Sequence, residues 1–375
     1  MVASKNGSER EIKRKKEKVE AEMISIEKKM TKLLKKRKTE VSFTRTINCP
    51  PLGCCSEFVS LPTSIHDPVP RTTYSIDREQ LFPGAVFDSH CHLDFAYRRL
   101  KREGQGCVQS LEQCLALDGE DLGTSFGGCV ANFCNPSDWS QGRSGRLVSN
   151  DIENSMRDRR VFITIGCHPH YADRMHGNRM EQLGLLVSGK SEYLHSKVVA
   201  LGECGLDYSR KNTVEKALQR KVFSEQLKIA LKFNLPLVLH IRDAEADGYD
   251  VLAASGVPSD WPIHRHCFTG GWEEASEWLK SYPASKIGIT GVATYQSAGK
   301  VREVVRNIPL NRILLETDAP YFLPARVDKS KYPWSCALPG HVIHVAALVA
   351  VIKRVELRTV LEHNLMNVHD IYKVG

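Results

Sequence analysis

The chain has no C-x-x-C pair, no apolar run near the ~20 residues of a membrane span, and no apolar segment behind its Lys-rich N-terminus. The first absence argues against a structural zinc ribbon, the second against a spanning helix, the third against a secretory leader. Twelve scattered cysteines in 375 residues point instead to reduced thiols and an intracellular setting, nuclear or cytoplasmic. A broadly basic body is also lacking. From position 9 to 40 thirteen Lys and Arg stand against seven acids, so +6 of the net +8 lies in this one segment. The remainder is close to neutral and is not a basic nucleic-acid platform.

That basic segment favours helix, because residues 10–38 contain neither Pro nor Gly and are rich in Glu, Lys, Met and Leu. Val19, Met23, Ile26, Met30 and Leu33 form a seam of about two heptads, short for a coiled coil. Residues 41–84 carry Pro, Ser, Thr and Cys without a sustained period and read as linker, with one strand near Phe58. The expected division is therefore a basic, partly helical, flexible extension over 1–84 and one large domain over 85–375.

Past residue 84 the pattern changes. Eight short apolar runs, 85–89, 128–133, 161–167, 197–203, 236–240, 262–266, 286–291 and 312–317, read as buried strands. Helical patterns lie between several of them, the best at 215–233, with others at 272–282 and 300–307. Two more, at 341–354 and 356–372, end the chain. Residues 96–127 and 135–160 are polar and Gly-rich and predict short or irregular helices. Apolar strands alternating with helices argue a parallel sheet covered on both faces. Eight such units over this length predict a (β/α)8 barrel of the TIM type.

In such a barrel the active site gathers at the C-terminal ends of the strands. Those ends carry His90 and His92 after the first run, His168 and His170 after the third and Glu203 at the end of the fourth. His240 ends the fifth, His266 the sixth, and Asp318 follows the eighth. Each alone has an ordinary structural explanation as a capping carboxylate or a rim histidine. Chance would not keep choosing the same end of every strand. His90 and His92, two apart on a strand, aim two imidazoles at one point. Six ligands of mixed imidazole and carboxylate type are too many for one open ion and suit two that share a carboxylate. With no lysine at the end of the fourth run, Glu203 is the expected bridge. His264 shares the strand face of His266 but lies deeper, as support or core.

The pieces FDSHCHLD, IGCHPHYA, ALGECGLDY, PLVLHIRDA, HRHCFTGG and LLETDAPYFLP, in this order, closely resemble the TatD family of metal-dependent deoxyribonucleases. The resemblance implies a metallohydrolase cleaving phosphodiesters of DNA, with RNA as a second substrate. It implies two divalent ions, Mg²⁺ first and Mn²⁺ or Zn²⁺ as alternatives. By motif match His90, His92, Glu203, His240, His266 and Asp318 are the expected metal ligands, with Asp318 and Glu203 catalytic. His168, His170 and Arg242 are the expected substrate contacts. Where many members carry Arg-Asn-Glu-Pro, residues 334–341 here read WSCALPGH. This departure and the basic extension resemble a divergent animal branch of the family.

Two other classes of function fit parts of the pattern. An amidohydrolase acting on a small cyclic amide or ester could use a similar barrel and similar histidines. A non-catalytic nucleic-acid-binding protein could use the basic arm, but its expected signature is a lost ligand, and the ligand set is complete.

Overall fold

Each of the eight apolar runs becomes a parallel strand of one sheet in the computed structural model, which describes residues 74–139, 148–189 and 197–374. The strands are β1 Val86–Cys91, β2 Phe126–Phe133, β3 Val161–Ile165, β4 Val198–Asp207, β5 Leu237–Arg242, β6 Ile263–Arg265, β7 Lys286–Ile289 and β8 Ile313–Leu315. They pair in chain order, β1 with β2 through to β7 with β8. Nearly every strand residue is buried, as expected where side chains fill the barrel on one face and helices cover the other. The expected basic helix and the strand near Phe58 lie outside the described residues.

The seam between β8 and β1 closes differently from the others. At the mouth, Asp318 N–H donates to the His90 carbonyl at 2.9 Å and His92 N–H to the Ala319 carbonyl at 2.7 Å. Lower down, the side chain of Asn364 spans the gap. Its amide donates to the Phe87 carbonyl at 2.9 Å and accepts from Leu315 N–H at 2.9 Å. Asn364 belongs to the last helix, Leu357–Tyr372, whose Val368, Ile371 and Tyr372 join Phe87, Val130, Val238 and Leu314 in one buried cluster. The end of that helix therefore plugs the barrel from below.

The predicted helices appear as Lys216–Phe233, Trp272–Ser281, Gly299–Asn307, Val342–Lys353 and Leu357–Tyr372. After β2 the helices are short, as expected: Pro136–Trp139 and Asn150–Arg157. The segment after β1 is more regular than its composition suggests. Leu93, Ala96, Tyr97 and Leu100 give helix Leu93–Arg102 a continuous buried face.

One boundary is corrected. Residues 74–84, expected as linker, pack on the barrel because Ile76, Leu81 and Phe82 bury part of their surface against its core. The Tyr74 hydroxyl lies 3.3 Å from His344 Nδ1, Asp77 caps a short turn over Arg78–Gln80, and Arg358 covers the Phe82 ring at 4.8 Å. Apolar residues spaced without period conceal such a strap from a reading of composition.

Candidate metal centre

The first strand brings His90 and His92 to the mouth of the barrel with their Nε2 atoms 3.3 Å apart. His92 is oriented from behind, since Nδ1–H donates to the Asn132 carbonyl at 3.0 Å and leaves Nε2 facing inward. Glu203 enters from the middle of β4. Gly205 follows it at φ 145°, where a Cβ would collide with the His240 carbonyl oxygen, so only glycine lets β4 pass this close to β5. The strand consequently runs on to Asp207.

The two oxygens of Glu203 face two different groups. Oε2 lies 3.3 Å from His92 Nε2 and 3.7 Å from His90 Nε2. Asp318 Oδ1 completes that side at 3.3 Å from His92 Nε2 and 3.6 Å from His90 Nε2. Oε1 lies 2.8 Å from His240 Nδ1, 3.4 Å from His266 Nε2 and 3.5 Å from His168 Nε2. All six residues expected as ligands thus meet at one mouth. His168, expected beside the substrate, stands at the carboxylate with them. His170 instead reaches Asp207 Oδ2 at 2.9 Å, which is also 3.2 Å from His240 Nε2. Arg242 is exposed at the end of β5, opposite Asp207 in the strand register and outside the cluster.

This donor set fits divalent cations. Within 4.0 Å, the cationic partners of Glu203, Asp207, Glu316 and Asp318 are histidines alone among the described residues. Neutral imidazoles cannot balance four carboxylates in so buried a place. Asp318 Oδ1 is buried and lacks a hydrogen-bond partner among the described residues. The titration of the cluster shows the same demand for positive charge. Burial would lower His266, yet the Glu316, Glu203 and Asp318 carboxylates push it up to about 9. Burial would raise Glu203, but His266, His168, His240 and His92 hold it well below the usual carboxylate range. His90, buried and beside His266, is driven well below the ordinary histidine value.

Residues behind the cluster hold it in place. Asp88 ties β1 to β8, accepting from Thr317 N–H at 2.9 Å and the Thr317 hydroxyl at 2.5 Å, just ahead of Asp318. Glu316 accepts from Cys267 N–H at 2.6 Å, and its Oε2 lies 3.4 Å from His266 Nδ1. Asp207, Glu316 and Asp88 were not among the expected site residues. The signal for Asp207 was present, since position 207 shares the strand face of 203. Glu316 was hidden inside an apolar run.

The family model described as TatD related DNase matches residues 87–373, which contain every member of the cluster. The chain belongs to the TatD family. Among TatD relatives, the human 3'-5' RNA nuclease TATDN2 is 37% identical over 303 residues, covering 80% of this chain and 37% of that protein. The chain thus spans little more than a third of that longer relative. The 3'-5' ssDNA/RNA exonuclease TatD of Erwinia billingiae is 37% identical over 190 residues, covering 50% of this chain and 69% of that one. The crystal structure of YJJV, a TatD homolog from Escherichia coli, superimposes with a TM-score of 0.61 at 24% identity. It covers 78% of this chain and 99% of that chain, a likeness of fold. No helix among the described residues is long and apolar enough to cross a membrane.

Proposed function

We propose that this chain is a divalent-metal-dependent nuclease that hydrolyses phosphodiester bonds of DNA and RNA. One observation carries the reading: a single buried carboxylate, Glu203, turns each oxygen to a separate group of imidazoles. That arrangement suits two ions sharing one bridge. His90, His92 and Asp318 would hold one ion with Glu203 Oε2, and His240 and His266, joined by His168, the other with Oε1. Bound ions supply charge neutralisation for the phosphoryl oxygens and a lowered pKa for water.

The protein's own part is orientation and proton transfer. Asp318 Oδ1, buried and without a hydrogen-bond partner among the described residues, would accept a proton from the attacking water. The exposed Arg242 would donate to a phosphate outside the cluster, beside His170, whose Nε2–H is held by Asp207. The physiological ion we assign is Mg²⁺, although imidazole-rich sites also take Mn²⁺ or Zn²⁺ readily. The basic segment over 10–38 would add salt-sensitive attraction to phosphates.

The test is a metal series (Mg²⁺, Mn²⁺, Zn²⁺, chelator) on end-labelled single-stranded DNA, duplex DNA and RNA. Metal-dependent shortening of a labelled strand is expected. Turnover of cyclic amides or esters, with every nucleic acid left intact, would overturn the reading in favour of an amidohydrolase.

A further inference from the structure

His266 is held from behind by a chain of buried groups that ends on the last helix. Glu316 Oε2 faces His266 Nδ1 at 3.4 Å and His264 Nε2 at 2.8 Å, the latter a short, bent contact. His264 Nδ1 in turn lies 2.6 Å from the Tyr372 hydroxyl. His264 and Glu316 are fully buried, Tyr372 nearly so. Gly288 on β7 makes the room: a Cβ there would sit 2.5 Å from Glu316 Oε1 and 2.6 Å from His264 Nε2.

The hydrogens along this line can be assigned one by one. An ionised carboxylate only accepts, and a neutral imidazole carries one N–H. His264 must therefore place its hydrogen on Nε2, toward Glu316. Its Nδ1 is then an acceptor, and Tyr372 must donate to it. Tyr372 has one hydroxyl hydrogen, so its longer approach to the Ser89 carbonyl at 3.4 Å goes unserved. At the other end Glu316 requires the hydrogen of His266 on Nδ1, which leaves the Nε2 lone pair facing Glu203.

We propose that Tyr372, His264 and Glu316 are positioning residues that hold His266 in its metal-binding tautomer, so that the C-terminal helix helps set metal affinity. The proposal rests on the reading of His266 as a ligand. Without His264, Glu316 would keep only its longer side-chain contact, and a buried carboxylate so poorly matched would move. Outer partners of this kind typically contribute about 10–100-fold to metal affinity.

The experiment measures Mn²⁺ affinity calorimetrically on the full chain stripped of metal, so that no turnover is needed. His264→Gln keeps an N–H donor near the Nε2 position, whereas His264→Asn keeps only one near Nδ1. The Gln variant should bind Mn²⁺ within about threefold of wild type and the Asn variant about 10–100-fold more weakly, with equal metal-free Tm. Tyr372→Phe deletes one hydroxyl at the far end and should weaken Mn²⁺ by about three- to tenfold. It decides the matter alone where the His264 variants do not melt cooperatively. Equal affinity for Gln and Asn, or wild-type affinity for Tyr372→Phe, would overturn the proposal. A wild-type chain that binds no Mn²⁺ would overturn the metal-centre reading beneath it.

Discussion

Asp318 and Glu203 are both buried carboxylates at the mouth, but their neighbours give them different work. Asp318→Asn preserves shape and one ligand oxygen, so nucleic-acid binding should persist while single-turnover cleavage falls by ~10²–10⁴-fold, the usual worth of general-base help. Recovery of wild-type cleavage at excess metal would reduce Asp318 to a ligand. Glu203→Ala removes the oxygens facing both imidazole groups and should lose bound metal along with rate, read as metal content per chain. Away from the centre, His341 is buried with Nε2 3.0 Å from the Asp118 carbonyl, and burial pulls it down to about 4. The unfolded chain, with histidine near 6.5, then binds the proton more readily, so this stability is complete above ~6.5 and lost as pH falls toward 4. Asp118, pushed up to about 7 by burial, runs in the opposite direction. The measurement is therefore the difference in urea stability between wild type and His341→Gln, which should shift by ~2 kcal/mol against wild type from pH 7 to 5. A difference that does not change with pH would mean His341 does not carry it.

The strands were legible because each is a short apolar run, and six of the eight end in, or are followed by, a ligand-type residue. Their ends were less so. The fourth run appeared to stop at Glu203, yet β4 extends to Asp207 because two glycines, at 202 and 205, let the backbone hug β5. Glycine reads as a break in sequence and acts here as a close contact. Gly205→Ala should therefore lower the Tm and disturb His240, with a cost of ~1–3 kcal/mol for the forced backbone. An unchanged Tm would show that the strand shifts freely. Glu316 was illegible for another reason: its partners His264 and His266 lie on another strand, and no local period reports a pairing across the barrel interior. The same limit concealed the strap over residues 74–84, whose contacts are with Glu120, His344 and Arg358.

At the scale of the whole molecule, the basic N-terminal segment and the barrel are expected to have separable tasks. Since every histidine and carboxylate of the cluster lies at His90 or beyond, deletion of residues 1–73 should leave metal affinity and cleavage of short oligonucleotides unchanged. It should weaken binding of long substrates chiefly at low salt, seen as a shallower slope of log affinity against log salt. A truncated chain without bound metal would place those residues in the core instead. The seam bridged by Asn364 has its own consequence, in the order of synthesis. The ribosome releases His90 and His92 early, but the side chain that clasps β1 to β8, Asn364, is made more than 270 residues later. A domain generally folds as a unit during synthesis, once the parts it needs have emerged. Here the first strand must wait for helix Leu357–Tyr372, so a nascent chain stalled before residue 357 should carry an unsealed barrel. The histidines and carboxylates of the mouth, complete by residue 318, would therefore wait for a helix that carries none of them.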